Sequence, residues 1–269
     1  MTRPQHPGGV PFTRRPPRVV AAGKLRRRRD REAARRFLAE GPQAVREAVG
    51  IVELFGTTEA LSRYPDLAGR APVVSVVTED ALAALAETVN PQGLVAVCGF
   101  LDTPLDAALS ARPALVAALV QTRDPGNAGT VLRTADAAGA GAVVFAGEAV
   151  DPYNGKCVRA SAGSLFHVDV VRAPEPLALV AALRAAGLRV LAADGYGEAD
   201  LDELADAGEL ARPTAWLFGS EAHGLPGEVA GACDARVRVP LHGRAESLNL
   251  AAAAAVCLYS SARALRRRS

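Results

Sequence analysis

From Leu115 onward, apolar runs alternate with helix-length segments of mixed polarity, and this alternation constrains the fold more than any other feature of the chain. Strands are expected at 114–121, 142–146, 166–171, 188–193, 214–218 and 236–241. Helices are expected between them, at about 129–139, 155–162, 176–186, 199–207, 225–231 and 247–265. Strand and helix in alternation argue for an α/β domain, a parallel sheet with helices on both faces.

The preceding part reads differently. Residues 1–17 hold five prolines, Pro4, Pro7, Pro11, Pro16 and Pro17, with little that could pack, and are read as a disordered basic leader. Residues 24–36 are helix-compatible but strongly charged. Short strands at Phe37-Leu38, Leu54-Phe55, Val73–Val77 and Leu94–Val97 are separated by helices near 42–49, 57–62 and 79–86, the last with Thr78 as its N-cap. This makes a small α/β unit over 18–103. Residues 104–113, bounded by Pro104 and Pro113, read as a linker, and 114–269 as the larger domain.

Charge is segregated. Residues 1–36 carry twelve Lys and Arg against Asp30 and Glu32, and four arginines lie at 263–268, yet the whole chain is only +2. The body is therefore acidic and the ends are basic, a distribution that suits nucleic-acid phosphate or a solubilising, solvated face. No apolar run is long enough for a membrane span, and no apolar signal-peptide segment follows the basic start. The expectation is a soluble, cytoplasmic protein without a membrane partner. Cys98, Cys157, Cys233 and Cys257 are scattered, with no zinc-ligand spacing, and read as free, mostly buried thiols; no metal is expected.

Four clusters stand at strand ends, where open α/β sheets bind ligands. Asp124-Pro-Gly-Asn127-Ala-Gly129-Thr-Val-Leu-Arg133 opens a helix; Asn127 either caps it or faces a ligand, and Arg133 is either solvated or a phosphate clamp. Lys156 to His167 offers Arg159 as a second anion anchor or a surface arginine; His167, at the start of an apolar strand, reads as a core histidine. Phe218-Gly219-Ser220-Glu221 runs a strand into glycine, where backbone can approach a ligand closely. Val237 to Asn249 ends a strand in a polar loop; Ser247 can cap the alanine-rich helix, and Asn249 then falls inside its first turn, where asparagine is a poor helix former. No GxGxxG opens a helix after a strand, and no GxxxxGK[ST] or GxSxG is present.

Taken in order, Asn127-x-Gly129-x3-Arg133, the block Phe218-Gly-Ser-Glu221-Ala-His223-Gly-Leu-Pro226, and Val239-Pro240 with Ser247-Leu248-Asn249 resemble the SpoU/TrmH family of RNA ribose 2′-O-methyltransferases, of the SPOUT superfamily. The resemblance covers roughly 112–265. A weaker one, over 18–100, is to the family's ribosomal-protein-like substrate-binding domain. It implies a trefoil knot at the carboxyl end of the sheet, a homodimer, and S-adenosyl-L-methionine as methyl donor, held near Ala193, Gly219, Val239, Leu241 and Leu248. It implies Asn127, Arg133, Glu221, Ser247 and Asn249 as the catalytic set, with Arg133 and Arg159 on RNA. The implied reaction is 2′-O-methylation of structured RNA, with 23S ribosomal RNA as the first expectation. Transfer RNA, or a non-catalytic RNA-binding or ribosome-assembly role on the same fold, are the alternatives.

Overall fold

A computed structural model of the chain describes residues 10–13 and 16–268. It divides into two compact units, one holding residues 1–100 with 153–166, the other 101–152 with 167–269. The expected disordered leader falls largely on residues 1–9, 14 and 15, outside the described residues.

The first unit begins with α1 (Pro17–Lys24) and α2 (Arg28–Ala34), followed by β1 (Arg36–Glu40), α3 (Pro42–Glu47), β2 (Ile51–Gly56), α4 (Thr58–Arg63), α5 (Pro65–Ala68), β3 (Val74–Val76), α6 (Glu79–Leu85) and β4 (Leu94–Gly99). Its four strands lie in the order β1-β4-β2-β3, with only β2 and β3 parallel. The described part of the basic start, from Pro17 on, packs into this unit. Val19, Ala22 and Leu25 are buried in its core with Phe55, Leu82 and Val95. Residues 24–36 are not a single helix. The chain turns at 25–27, and Arg31, only 3% exposed, closes the turn by donating to the carbonyls of Leu25 at 3.0 Å and Arg26 at 2.9 Å. Arg26, Arg27, Arg28, Arg29, Arg35 and Arg36 remain exposed around it.

The second unit runs α7 (Leu105–Ser110), β5 (Leu115–Val120), α8 (Pro125–Ala138) and β6 (Ala142–Ala146). The next helix, α9 (Gly155–Ser161), belongs to the first unit. The second unit resumes with β7 (Asp169–Ala173), α10 (Pro176–Ala185), β8 (Arg189–Ala193), β9 (Ala199–Asp200), α11 (Leu201–Asp206), β10 (Thr214–Phe218), α12 (Gly227–Ala232), β11 (Ala235–Arg238) and α13 (Leu250–Arg268). Seven strands form one sheet in the order β7-β6-β5-β10-β8-β11-β9, and every neighbouring pair is parallel. β5, β6 and β10 are buried at every position, as a strand must be when helices cover both faces. The parallel α/β sheet expected from the alternation is therefore present. The segment expected as a linker contains α7.

Strand order reverses after β7. From β5 the chain moves outward through β6 to β7, then crosses to β8, on the far side of β10. The β5–β10 boundary is thus a topological switch point, where loops leaving adjacent strands part and open a crevice at the carboxyl ends. α13 packs on α8 and across β5 and β10. It is pinned there by the buried Trp216, whose Nε1 donates to Ser261 Oγ at 2.9 Å. Among the described residues no helix is long and apolar enough to cross a membrane.

Candidate active site at the switch point

The loops after β5 and β10 and the start of α13 meet through side chains. Asp124 caps α8, its Oδ1 accepting the amides of Gly126 at 2.5 Å and Asn127 at 2.9 Å, with Pro125 at the first helical position. Asn127 is therefore not the cap. It sits in the first turn with its side chain released, and its Nδ2 donates to Glu221 Oε1 at 2.9 Å. Its Oδ1 accepts from Asn249 Nδ2 at 3.2 Å. Asn249 is itself the cap of α13, accepting the amides of Ala251 at 2.9 Å and Ala252 at 3.4 Å. This corrects the sequence expectation: α13 starts at Leu250, so Ser247 lies exposed before it and does not cap it. Asn249 escapes the helix-interior penalty by standing at the position asparagine favours.

Glu221 rides on a tight turn. Ser220 and Gly224 exchange both backbone hydrogen bonds, at 3.0 and 2.9 Å, and the His223 amide donates to Ser220 Oγ at 3.3 Å. The turn folds back over Gly219. A Cβ on Gly219 would lie 2.1 Å from the Gly224 carbonyl carbon and 2.2 Å from the Leu225 nitrogen. The close approach read from this glycine is thus made by the protein's own backbone.

Ala193 ends β8, Gly219 follows β10, and Val239 follows β11, three neighbouring strands of the sheet. Leu241 and Leu248, in the loop between β11 and α13, are 40% and 39% exposed. Arg133 is exposed on α8, six residues past Asn127, or about 9 Å along the helix axis. It has no ion pair among the described residues. Arg159 lies in the first unit, ion-paired to Glu87 at 3.1 Å and Glu40 at 3.4 Å. His167 is not a core histidine. Its side chain is 41% exposed, and Nδ1 pairs with Asp136 Oδ2 at 2.8 Å.

Sequence reasoning missed the second carboxylate of this neighbourhood, Asp124, whose cap role frees Asn127; its signal was the Asp-Pro pair at a strand end. The four cysteines are free. Burial pushes the Cys98 and Cys257 thiols up to about 12, and Cys233 up to about 11, so none of these three supplies a thiolate near neutral pH. Among the described residues no group of three His, Cys, Asp or Glu could hold a metal ion.

Comparison with known proteins gives this geometry a context. Residues 114–259 match the model of the SpoU rRNA Methylase family, and 16–96 that of the MRM3-like substrate binding domain. The chain is 36% identical, over 88% of its length and 92% of the relative's, to the 23S rRNA (guanosine(2553)-2′-O)-methyltransferase RlmP of Bacillus subtilis. It is 30% identical to the 23S rRNA (guanosine-2′-O-)-methyltransferase RlmB of Bordetella pertussis, over 84% of this chain and 92% of the other. Among solved structures, the SpoU methyltransferase AviRb of Streptomyces viridochromogenes, in complex with AdoMet, superposes with a TM-score of 0.80 at 31% identity, over 95% of this chain and 99% of that one. The alternation of strands, the three ordered motifs and their convergence at one crevice have the same origin: this chain belongs to the SpoU rRNA methylase family.

Proposed function

We propose that the protein transfers a methyl group from S-adenosylmethionine to a ribose 2′-hydroxyl of 23S ribosomal RNA. The observation that carries this reading is the hydrogen-bonded set Asn127–Glu221–Asn249. Its members are 94 and 122 residues apart in sequence and meet at the switch point of the sheet. The 23S rRNA 2′-O-methyltransferases RlmP and RlmB, and AviRb with its bound AdoMet, support the same assignment.

The residues present fit the donor. Leu241 and Leu248 are large apolar side chains left 40% and 39% exposed in the loop between β11 and α13, and a flat adenine would cover them. Ala193, Gly219 and Val239 supply backbone at three adjacent strand ends. When bound, S-adenosylmethionine supplies an electrophilic methyl on a sulfonium. The chain's own part is to hold the ribose hydroxyl in line, a contribution on the order of 7–11 kcal/mol at best. Asn127, Ser247 and Asn249 provide amide and hydroxyl partners. Arg133 offers a planar guanidinium fork for the adjacent phosphate.

The reading includes a homodimer and a trefoil knot. An exposed stripe on α13, Ala252, Val256, Tyr259 and Arg263, supports the dimer; Val256 is 41% and Tyr259 52% exposed. The helix packed against it, α8, also presents Thr130, Arg133 and Ala137 to solvent. The return of α13 onto α8 after the 239–249 loop supports the knot. Action in the cytoplasm follows from a ribosomal RNA substrate.

The test is to mix the protein, S-adenosylmethionine and 23S ribosomal RNA. Saturating donor must raise the melting temperature, since a ligand of the native state alone stabilises it, and one ribose must gain a methyl group. No shift and no methylation would leave a non-catalytic RNA binder. Arg133→Ala is expected to cut transfer by about 10²-fold or more while donor affinity stays unchanged, as isothermal titration would report; lost donor affinity in a folded variant would refute its role on the RNA.

The exposed arginines of the first unit are the proposed phosphate contacts, with Arg159 exchanging a carboxylate for phosphate as RNA arrives. Replacing Arg26, Arg27, Arg28 and Arg29 together by Gln, with Arg31 kept to hold the turn, is expected to weaken RNA binding. It should also flatten the plot of log affinity against log salt by about 2–4 units, because fewer counterions are released. An unchanged slope would show that these arginines do not touch phosphate.

A further inference from the structure

Residues 194–198, between β8 and β9, form a short loop at the carboxyl end of the large sheet. Asp194 closes a turn there. Its carbonyl accepts the Gly197 amide at 2.9 Å, and its Oδ1 accepts the Tyr196 amide at 2.9 Å. The Asp194 amide in turn donates to the Val237 carbonyl at 3.0 Å. Two arginines of β11 hold the rest. Arg236 pairs with Glu198 at 2.9 Å and Asp194 at 3.6 Å. Arg238 donates to the carbonyls of Gly197 and Glu198 at 3.2 and 3.1 Å. Gly197 is pressed so closely on β11 that a Cβ there would lie 2.6 Å from the Arg236 carbonyl carbon. The backbone of the loop is thus fixed from several sides, yet Tyr196, in the turn, is left 93% exposed. Phe145, Trp216 and Phe218, the rings on the strands of the same sheet, are at most 4% exposed. An open ring on a backbone already held in place can bind a flat partner without the cost of ordering a loop.

Its placement ties the ring to the candidate site. Ala193 of β8 is in register with Phe218 of β10, and neighbouring strands lie about 4.8 Å apart. Tyr196 follows Ala193 by three residues, as Glu221 follows Phe218, and three residues span at most about 10 Å. The two loops leave neighbouring strand ends on one edge of the sheet. We propose that Tyr196 is a stacking platform for an unpaired base of the substrate RNA, next to the ribose that is methylated. This rests on the function proposed above. Selection of one ribose in a large RNA falls on loops and bulges, whose unstacked bases lie on aromatic side chains. Stacking asks only for a flat face, and every base has one. The charges around the ring, Asp194, Glu198 and Asp200 against Arg236 and Arg238, leave no positive excess for a phosphate, and a neutral base needs none. The adenine of the donor has its apolar cover on another loop, at Leu241 and Leu248.

Tyr196→Ala, Tyr196→Phe and Tyr196→Trp, each in the full-length protein, test this against wild type. Tyr196→Ala is expected to raise KM for 23S ribosomal RNA about tenfold or more, whereas the Phe and Trp variants, which keep a ring, stay within about threefold. S-adenosylmethionine affinity by calorimetry and the melting temperature should not change, since the side chain is exposed. The slope of log RNA affinity against log salt should also stay that of wild type, because no phosphate contact is lost. Tyr196→Trp adds a direct signal. The chain's own tryptophan, Trp216, is buried, so the new indole is the exposed one. Its fluorescence should be quenched by 23S ribosomal RNA and not by S-adenosylmethionine. An Ala variant with wild-type KM overturns the proposal. So does a Phe variant as weak as Ala, which would make the hydroxyl the contact. Lost donor affinity would make the ring a cover for the donor, and an altered sedimentation coefficient would make it an interface residue; either overturns the proposal. Wild-type protein that methylates no ribosomal RNA would instead overturn the underlying function, and the platform with it.

Discussion

Gly219→Ala should abolish methyl transfer and destabilise the second unit more than any other single methyl group placed near the site. The added Cβ would stand 2.1 Å from the Gly224 carbonyl carbon, 2.2 Å from the Leu225 nitrogen and 2.3 Å from the Gly224 oxygen. All three are backbone atoms, so no side chain can swing aside. Strand β10 is buried at all its positions and cannot retreat, which leaves the Ser220–Gly224 turn to move. Overpacking of this kind costs about 3 kcal/mol, a loss of roughly 6–12 °C in melting temperature. The turn carries Glu221, and a displacement of about 1 Å in the site costs about 10²-fold in rate. Gly224→Ala is the comparison. Its φ is +66°, but open space surrounds the new Cβ, so only the left-handed backbone penalty of about 1–2 kcal/mol applies. Differential scanning calorimetry and a methyl-transfer assay on both variants decide the matter. Equal losses would mean that packing over Gly219 does not hold the turn.

The parts of the fold legible in the sequence share a physical cause. β5, β6 and β10 announce themselves because burial on both faces demands uninterrupted apolar runs, and the helices between them follow by elimination. The switch point follows from strand order, which periodicity does not encode. The two helix caps at the site stayed open or were misplaced for one reason. Asp124 and Asn127 compete to cap α8, and Ser247 and Asn249 compete to cap α13. Each pair contains two competent capping residues within three positions. The choice is made by bonds to partners 94 and 122 residues away, and local propensity carries no trace of them. The basic segment was illegible in another way. A run of arginines looks alike whether solvated or folded, and the buried Arg31, donating to two carbonyls, distinguishes the turn at 25–27 from a continuous charged helix. The grouping of 153–166 with the first unit is likewise a matter of tertiary packing. Its aromatic residues show why: Tyr153 packs tilted against Phe37 at 4.8 Å, and Phe166 stacks on it at 6.0 Å.

Asn249 performs two tasks that substitution can separate. As cap of α13 it accepts two amides through one oxygen; as donor it orients Asn127 through its nitrogen. Asn249→Ala removes both. The lost cap costs about 1 kcal/mol, or roughly 2–4 °C, and Asn127 is freed to rotate away from Glu221, with transfer falling by about 10²-fold. Asn249→Asp keeps the cap, and a carboxylate at a helix N-terminus is at least as favourable as an amide. Its melting temperature should match or exceed that of wild type. Its second oxygen, however, would face the Asn127 oxygen, and relief comes only if Asn127 flips and turns an oxygen on Glu221 as well. Two acceptors then oppose each other at the carboxylate, and the rate should fall at least as far as in Asn249→Ala. Stability and activity therefore move apart in one variant and together in the other. An Asn249→Asp enzyme that is both stable and fully active would reduce Asn249 to a helix cap and break the chain of hydrogen bonds on which the site is built.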